Sequence, residues 1–136
     1  MIDAIEKRME FDAEPERVWR ALTDGAELAQ WFPDVGAFDL APGAEGAFTW
    51  ANHGSHAARV EAFEPPNFLA WRWVRDPDKD LDTGVTTLVE FRLSARDGGG
   101  TVLDLRESGF VREQDRQDND DGWKSELGEL TQYLQR

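Results

Sequence analysis

The apolar residues of this chain change their spacing once, and that change constrains the fold more than any other feature. In several stretches between residues 45 and 108 they recur at every second position, as at Leu69 and Trp71, which is the period of a half-buried strand. In the tail, from Trp123 to Leu134, they recur at steps of four, three and four, which is the period of one helix face. A one-sided sheet and an amphipathic helix must each bury an apolar face, so we expect them to pack together.

Turn-forming residues divide the middle of the chain into candidate strands. Pro42-Gly43, Pro65-Pro66 and the glycine triplet 98–100 are three of the dividing turns. The candidate strands span residues 35–40, 45–51, 56–63, 67–75, 84–95 and 101–108. Regular spacing and short turns are typical of an antiparallel meander. Four arginines at 59, 72, 92 and 106 occupy the polar phase of these strands and are predicted to face solvent.

The N-terminal residues add one strand and two short helices. Alternation over residues 4–11 predicts a strand, and Pro15 after several acids predicts the first turn of a helix. A second short helix is predicted over about 26–31, and the last helix is predicted to begin within 113–121 and to end near 134. The prediction is an α+β fold: a seven-stranded antiparallel curved sheet around a long C-terminal helix, with two short helices between strands 1 and 2. A cavity between sheet and helix is expected, because a curved sheet cannot touch a straight helix everywhere.

Composition excludes several classes of function. The 136 residues are predicted to form one domain, 1–136, and the net charge of −13 argues against binding nucleic acid or anionic membranes. No cysteine is present, which removes disulfides, thiolate metal sites and thiol nucleophiles. No apolar run approaches the ~20 residues of a membrane span, and the N-terminus lacks the layout of a signal peptide. We therefore expect a cytoplasmic protein.

Known catalytic and metal-binding patterns are missing from the sequence. His53 and His56 are the only histidines, and zinc would need further ligands, so we interpret both as solvent-facing loop residues. No serine lies in a Gly-x-Ser-x-Gly elbow, and no glycine run has the lysine of a phosphate loop. The acidic runs 76–82 and 113–121 are interpreted as solvated loops. No catalytic residue, metal or cofactor is predicted.

Two ionisable residues have the phase of inward-facing strand positions. Glu107 shares the alternation of Leu103 and Leu105, and Lys7 shares that of Met9. A Lys7–Glu107 interaction inside the sheet would have shifted pKa values and could move protons. A structural pair near the cavity rim is the alternative interpretation.

The aromatic residues are the strongest functional signal. Six tryptophans and eight phenylalanines accompany a single tyrosine, so the aromatic surface is strongly apolar. Solid core packing and the lining of a cavity are both compatible with this pattern. The predicted cavity lining consists of eight aromatic residues and two polar anchors: Trp31, Phe32, Phe48, Trp50, Trp71, Trp73, Phe91 and Trp123, with Lys7 and Glu107 as the anchors.

Several blocks of the sequence resemble one family in the order that family has them. They are residues 18–24, 28–32, 59–69 with Trp71, 99–103, 107–110, and the last helix from Gly122 to Leu134. The chain is similar to the activator of heat-shock protein 90 ATPase homologues, within the START/SRPBCC superfamily. The resemblance implies the helix-grip fold with a hollow that accepts an apolar or amphipathic small molecule. The eukaryotic namesake is a co-chaperone that stimulates a chaperone ATPase.

Three functions follow as hypotheses. The first is binding of a small apolar or amphipathic ligand in the cavity, without catalysis. The second is an enzyme resembling polyketide cyclases or dehydratases, which would need ionisable groups facing the cavity. The third is a regulator that binds a protein partner, such as a chaperone. A homodimer is a further open alternative.

Overall fold

The residues that the structure describes form a seven-stranded antiparallel sheet and three helices, as the sequence predicts. The computed structural model describes residues 2–32, 34–35, 40–50 and 54–135. The elements in chain order are β1 (Ile5–Phe11), α1 (Pro15–Thr23), α2 (Gly25–Trp31), β2 (Asp34–Val35), β3 (Glu45–Trp50), β4 (Gly54–Glu64), β5 (Phe68–Val74), β6 (Thr86–Ala95), β7 (Thr101–Ser108) and α3 (Glu113–Leu134). The strand predicted over 35–40 is represented by the two residues of β2, and residues 36–39 lie outside the described residues.

The first two strands lie at opposite edges of the sheet. The strand order is β1-β7-β6-β5-β4-β3-β2, and each neighbouring pair is antiparallel. The helices α1 and α2 therefore carry the chain from one edge to the other. A register shift between Val60 and Ala62 marks a bulge in β4, and bulges increase the local bend and twist of a strand.

The two short helices begin and end where local chemistry predicts. Pro15 occupies the first turn of α1, where its missing N–H has no intrahelical partner to lose. The Asp24 carboxylate caps α2 by accepting hydrogen bonds from the backbone N–H groups of Ala26 and Glu27, at 2.9 and 3.2 Å. The cap fixes where α2 begins, and Phe32 follows directly after its last residue, Trp31.

Alternation along the strands places the apolar residues on one face, where α3 covers them. Leu69, Val89 and Leu103 are fully buried on the sheet. On α3, Leu127 and Leu130 are 2% and 0% exposed, and complete burial of such a side chain contributes roughly 1.5–3 kcal/mol. The helix and the sheet therefore share one core, which confirms the predicted packing.

The opposite face of the sheet is polar. The four arginines at 59, 72, 92 and 106 form ion pairs there with Glu6, Glu61 and Glu90. Pairs of this kind on an exposed surface stabilise a fold by only about 0–1 kcal/mol each. Their placement confirms the predicted phase of the strands.

The predicted bounds of the last helix are confirmed, because α3 begins at Glu113 and ends at Leu134. The interpretation of the acidic run 113–121 as a solvated loop is wrong, since the whole run belongs to this helix. Acids in the first turn of a helix are favoured by the positive end of the helix dipole, which explains why so polar a segment is helical.

Candidate functional site

A pocket of about 970 Å³ opens beside the N-terminal half of α3. Its walls come from Phe32 after α2, from β3 and β4, from the end of β5 with the loop that follows it, and from α3. We call this space the aromatic pocket, because its five rings are Phe32, Trp50, His56, Trp73 and Trp123. Volumes of 300–1,000 Å³ are typical of sites for small molecules.

The rings of the aromatic pocket pack against one another as well as around the space. The Phe32 ring lies 5.6 Å from Trp50 in an edge-on arrangement and 5.6 Å from Trp123 in a stacked one. The Trp50 and Trp73 centroids are 5.8 Å apart. Phe32 and Trp123 are 7% and 3% exposed, whereas Trp50 and Trp73 are only half-buried. The two half-buried indoles therefore present most of the free aromatic surface.

The predicted lining residues divide into two groups. Phe32, Trp50, Trp73 and Trp123 line the aromatic pocket. The other four aromatic residues, Trp31, Phe48, Trp71 and Phe91, are at most 4% exposed and pack in the core behind it. The two-residue period of the strands assigns all of their aromatic residues to one face of the sheet. It cannot distinguish the rings that pack in the core from those that line the pocket beside α3.

Glu107 is a fully buried carboxylate held by neutral donors. Its Oε1 accepts from the Trp123 indole at 2.8 Å, and its Oε2 accepts from the Trp73 indole at 2.9 Å and the Thr87 hydroxyl at 2.5 Å. The Asn119 amide reaches both oxygens, at 3.0 and 3.2 Å. Indole and amide N–H groups can only donate, so the Trp73, Trp123 and Asn119 side chains all use the Glu107 oxygens as acceptors.

Lys7 and Glu107 do not interact, contrary to the sequence-based hypothesis. Both face inward, but the backbone register pairs Glu107 with Ile5 and Lys7 with Leu105. The Lys7 ammonium instead reaches across to α3, where it pairs with Asp120 at 2.7 Å. The predicted inward direction of both side chains is confirmed. The partner of Lys7 differs from the prediction because α3 places the Asp120 carboxylate beside its ammonium group.

His56 was interpreted as a solvent-facing loop residue, and this was wrong. It lies within β4, lines the aromatic pocket and is half-buried. Its Nδ1 lies 2.9 Å from the carbonyl oxygen of Val74, and because a carbonyl only accepts, Nδ1 carries a proton. The other histidine, His53, lies outside the described residues.

Carboxylates line the aromatic pocket from two sides. Asp76 and Asp78 come from the loop after β5, and Asp118 and Glu126 come from α3. The run 76–82, interpreted as a solvated loop, is a largely exposed loop, and its first three residues also contribute to the pocket wall. Sequence analysis missed Asp118 and Glu126, which lie five residues before and three residues after Trp123 on α3.

Among the pocket-lining residues that the structure describes, Arg75 is the only lysine or arginine, and its guanidinium is already paired. Its guanidinium contacts Asp115 at 3.0 Å and Asp76 at 2.5 Å. Within the described parts of the chain, no Lys, Arg or His nitrogen lies within 4 Å of the Asp78, Asp118 or Glu126 carboxylates. The lining is therefore negative overall.

Burial raises the pKa of Glu126 above its usual range. Desolvation is the main cause, and the charge of Glu129 one turn later adds to it, whereas the Trp50 side chain acts in the opposite direction by favouring the ionised form. A carboxyl group in this position responds to the charge of whatever occupies the pocket.

Metal binding has no geometric support in the described ranges. No group of three or more His, Asp or Glu side chains there is arranged to hold a metal ion. A separate observation concerns the helices: none in the described part of the chain has the length and apolar content that crossing a bilayer requires.

Three solved structures share this fold. Protein MLL2253 from Mesorhizobium loti is 25% identical with a TM-score of 0.87, covering 98% of this chain and 98% of that one. CalU16 from Micromonospora echinospora is 29% identical with a TM-score of 0.79, covering 96% and 75%. The Aha1 dimer from Colwellia psychrerythraea is 21% identical with a TM-score of 0.82, covering 98% and 96%, and shows likeness of fold. No curated protein matches the chain.

The family assignment rests on a match along most of the sequence. The family described as activator of Hsp90 ATPase homolog 1-like protein matches residues 12–135. This span includes the blocks that carried the resemblance, from Val18 to the last helix, and the solved relatives share the sheet and α3. The chain belongs to the activator of Hsp90 ATPase homolog 1-like family.

Proposed function

We propose that this protein binds a small amphipathic molecule in the aromatic pocket. The observation that carries the proposal is the pocket of about 970 Å³ walled by aromatic rings, of which Trp50 and Trp73 keep free surface. Contact with these rings would remove apolar area from water, at roughly 25 cal/mol per Å². The pocket is open to solvent, so a ligand can enter without unfolding of any element.

The polar lining favours an amphipathic ligand over a purely apolar one. Asn119, Ser125 and Glu126 face the same space as the indoles, and they would stay solvated beside a polar group of the ligand. Glu107 and Lys7, the anchors expected from the sequence, have other partners, Glu107 in the network beneath the pocket wall and Lys7 at Asp120. The anchors of this proposal are therefore groups on α3.

Two glycines of α3 allow a sharp test. Gly122 lines the aromatic pocket and Gly128 does not, and a Cβ atom added at either would meet no atom within 4 Å. Each replacement by leucine also removes a glycine from a helix interior, which stabilises by about 0.5–1 kcal/mol. Gly122→Leu should fill the pocket without harming the fold, and Gly128→Leu is the matched control.

The measurement is tryptophan emission during titration with the neutral probe N-phenyl-1-naphthylamine. We expect saturable quenching in the unmodified protein and in Gly128→Leu, and at least tenfold weaker binding in Gly122→Leu. No response in the unmodified protein, or equal binding by both variants, would contradict the proposal.

A second candidate, acid–base catalysis on the bound molecule, has one favourable observation. His56 and Glu126 are ionisable and line the same pocket, which is the feature that the enzyme hypothesis needs. Native mass spectrometry of protein purified from its host would identify a co-purified molecule. Recovery of that molecule unchanged after long incubation with the protein would exclude turnover, and a changed mass would support it.

A further inference from the structure

We propose that the aromatic pocket selects ligands that carry a positive charge, such as a quaternary or protonated ammonium on an apolar body. This inference rests on the ligand-binding function proposed above and names the class of ligand. Three features of the pocket support it: wall carboxylates that lack a cationic partner among the described residues, a buried carboxyl group beneath its indoles, and free aromatic faces.

The first feature is the placement of the wall carboxylates. Asp78 comes from the loop after β5, and Asp118 and Glu126 lie two turns apart on α3. These three lack a cationic partner within 4 Å among the residues that the structure describes. A cation between the loop and the helix would therefore meet negative charge from two sides and would displace no existing ion pair.

The second feature is Glu107, directly behind the pocket wall. It is 0% exposed, yet its hydrogen-bond donors Trp73, Trp123 and Asn119 all line the pocket. No Lys, Arg or His nitrogen in the described ranges pairs with this carboxyl group, and the negative partial charge of its acceptor oxygens is screened weakly by low-dielectric surroundings. A cation in the aromatic pocket would be separated from these oxygens by the side chains that donate to them.

The third feature is the aromatic surface itself. The negative faces of indole rings attract cations, and tryptophan is the strongest of the aromatic residues in this respect. Trp50 and Trp73 are the half-buried indoles that keep free surface in the pocket. The Trp73 indole also donates its N–H to the Glu107 carboxyl group, and this polarises the ring and strengthens the attraction of its face for a cation.

An anionic ligand would find the opposite conditions. The guanidinium of Arg75 is shared between Asp76 and Asp115. The ammonium of Lys7 is paired with Asp120, which Lys124 also approaches at 3.5 Å. His56 directs its Nδ1 proton to Val74. Binding an anion would therefore require an ion pair to break, with no compensating charge in the pocket.

The test uses three naphthalene derivatives of similar size that differ in charge. They are the cation (2-naphthylmethyl)trimethylammonium, the neutral N,N-dimethyl-2-naphthylacetamide and the anion 2-naphthylacetate, each titrated into the intact protein by isothermal calorimetry. We expect the cation to bind about tenfold more tightly than the neutral compound, and the anion to bind more weakly than either.

Variants that replace single carboxylates by amides test whether the preference for a cation comes from the pocket. Glu126→Gln should weaken binding of the cation about three- to tenfold and leave the neutral compound unchanged. Asp118→Asn, at an exposed position, should act in the same direction if Glu126→Gln proves unstable. Glu129→Gln is the matched control, because it removes an equal charge from α3 at a residue that does not line the pocket.

The outcomes separate this inference from the proposed function. Equal binding of the cation and the neutral compound, or a preference for the anion, would overturn the charge preference and leave ligand binding in place. Binding of none of the three, together with no response to N-phenyl-1-naphthylamine, would overturn the proposed function. Equal losses of cation affinity in Glu126→Gln and Glu129→Gln would show a general charge effect and would overturn the assignment to the pocket.

Discussion

Glu107 shows how a single residue can connect the core of this protein to its surface. The side chain is fully buried, but two of the groups that solvate it, the Trp73 and Trp123 indoles, form part of the pocket wall. A buried carboxyl group is costly unless hydrogen bonds replace its lost water, and here five contacts from four side chains do so. The same bonds hold the two indoles in fixed orientations.

Replacing this carboxylate by an amide tests the network. In Glu107→Gln, an NH₂ group in place of either oxygen would face an indole N–H that donates to that oxygen now and cannot accept, so this hydrogen bond would be lost. We expect the free energy of unfolding to fall by about 2–4 kcal/mol, measured by urea denaturation followed by tryptophan emission.

The control for this variant lies on the same strand. Asp104→Asn makes the same chemical change on the outer face, where Asp104 pairs with the exposed Arg8. It should lower stability by less than about 1 kcal/mol. Similar losses in the two variants would show that the buried hydrogen bonds do not stabilise the fold in the way argued.

The sequence predicts some properties of Glu107 and not others. Its inward direction follows from its position two residues after Leu105 on a strand of period two, and the structure confirms it. Its four partners do not follow, because they come from β5, β6 and α3, and α3 must be placed to within a turn before Asn119 and Trp123 can be assigned to it. Long-range hydrogen bonds depend on tertiary placement that no local period encodes.

Helix α3 is attached to the sheet by more than its apolar stripe. The stripe contains Trp123, Leu127 and Leu130, which the spacing of the sequence predicts. Beside it, the Asp120 carboxylate pairs with Lys7 of the edge strand β1, and both side chains are largely shielded from water. The pocket residues Asp118 and Glu126 lie on flanking positions of the same helix, where the polar composition alone suggested ordinary surface.

The pair between α3 and β1 should make stability depend on pH. The hydrogen bond from Lys7 lowers the pKa of Asp120, against the opposing effect of burial. A carboxyl with a lowered pKa in the folded state stabilises the fold above its unfolded-state pKa, and this contribution disappears as the pH falls through the folded-state value. Asp120→Asn should therefore be less stable than the unmodified protein near pH 7, by about 0.5–1 kcal/mol.

The pH profile decides the interpretation of that variant. The stability difference between Asp120→Asn and the unmodified protein should shrink toward zero as the pH falls below about 3–4. Asp121→Asn, which removes the same charge from the exposed neighbouring residue, should show no such loss. A difference that persists unchanged at low pH would mean that packing, and not the ion pair, accounts for it.

At the scale of the whole molecule, the sequence predicts the architecture better than the site. The change from period two to helical spacing specifies a sheet and a covering helix, and the turns specify the strand boundaries to within a few residues. The aromatic pocket depends on where α3 and the loop after β5 leave the core unfilled. That space is set by the relative placement of elements distant in sequence, such as Trp50 and Glu126.

The net charge of −13 should act on the whole fold as well as on the pocket. Folding brings like charges closer together, so self-repulsion destabilises the compact state, and salt reduces this effect as the screening length falls from about 30 Å at 0.01 M to 3 Å at 1 M. The exposed ion pairs of the outer face weaken with salt too, but each contributes little.

We therefore expect the melting temperature at pH 7 to rise by about 2–6 °C between 0.01 and 0.5 M sodium chloride, measured by circular dichroism. Sodium sulfate at matched ionic strength should raise it further by its general exclusion from protein surfaces, which separates the two effects. A melting temperature that falls with sodium chloride would show that attractive ion pairs outweigh the repulsion.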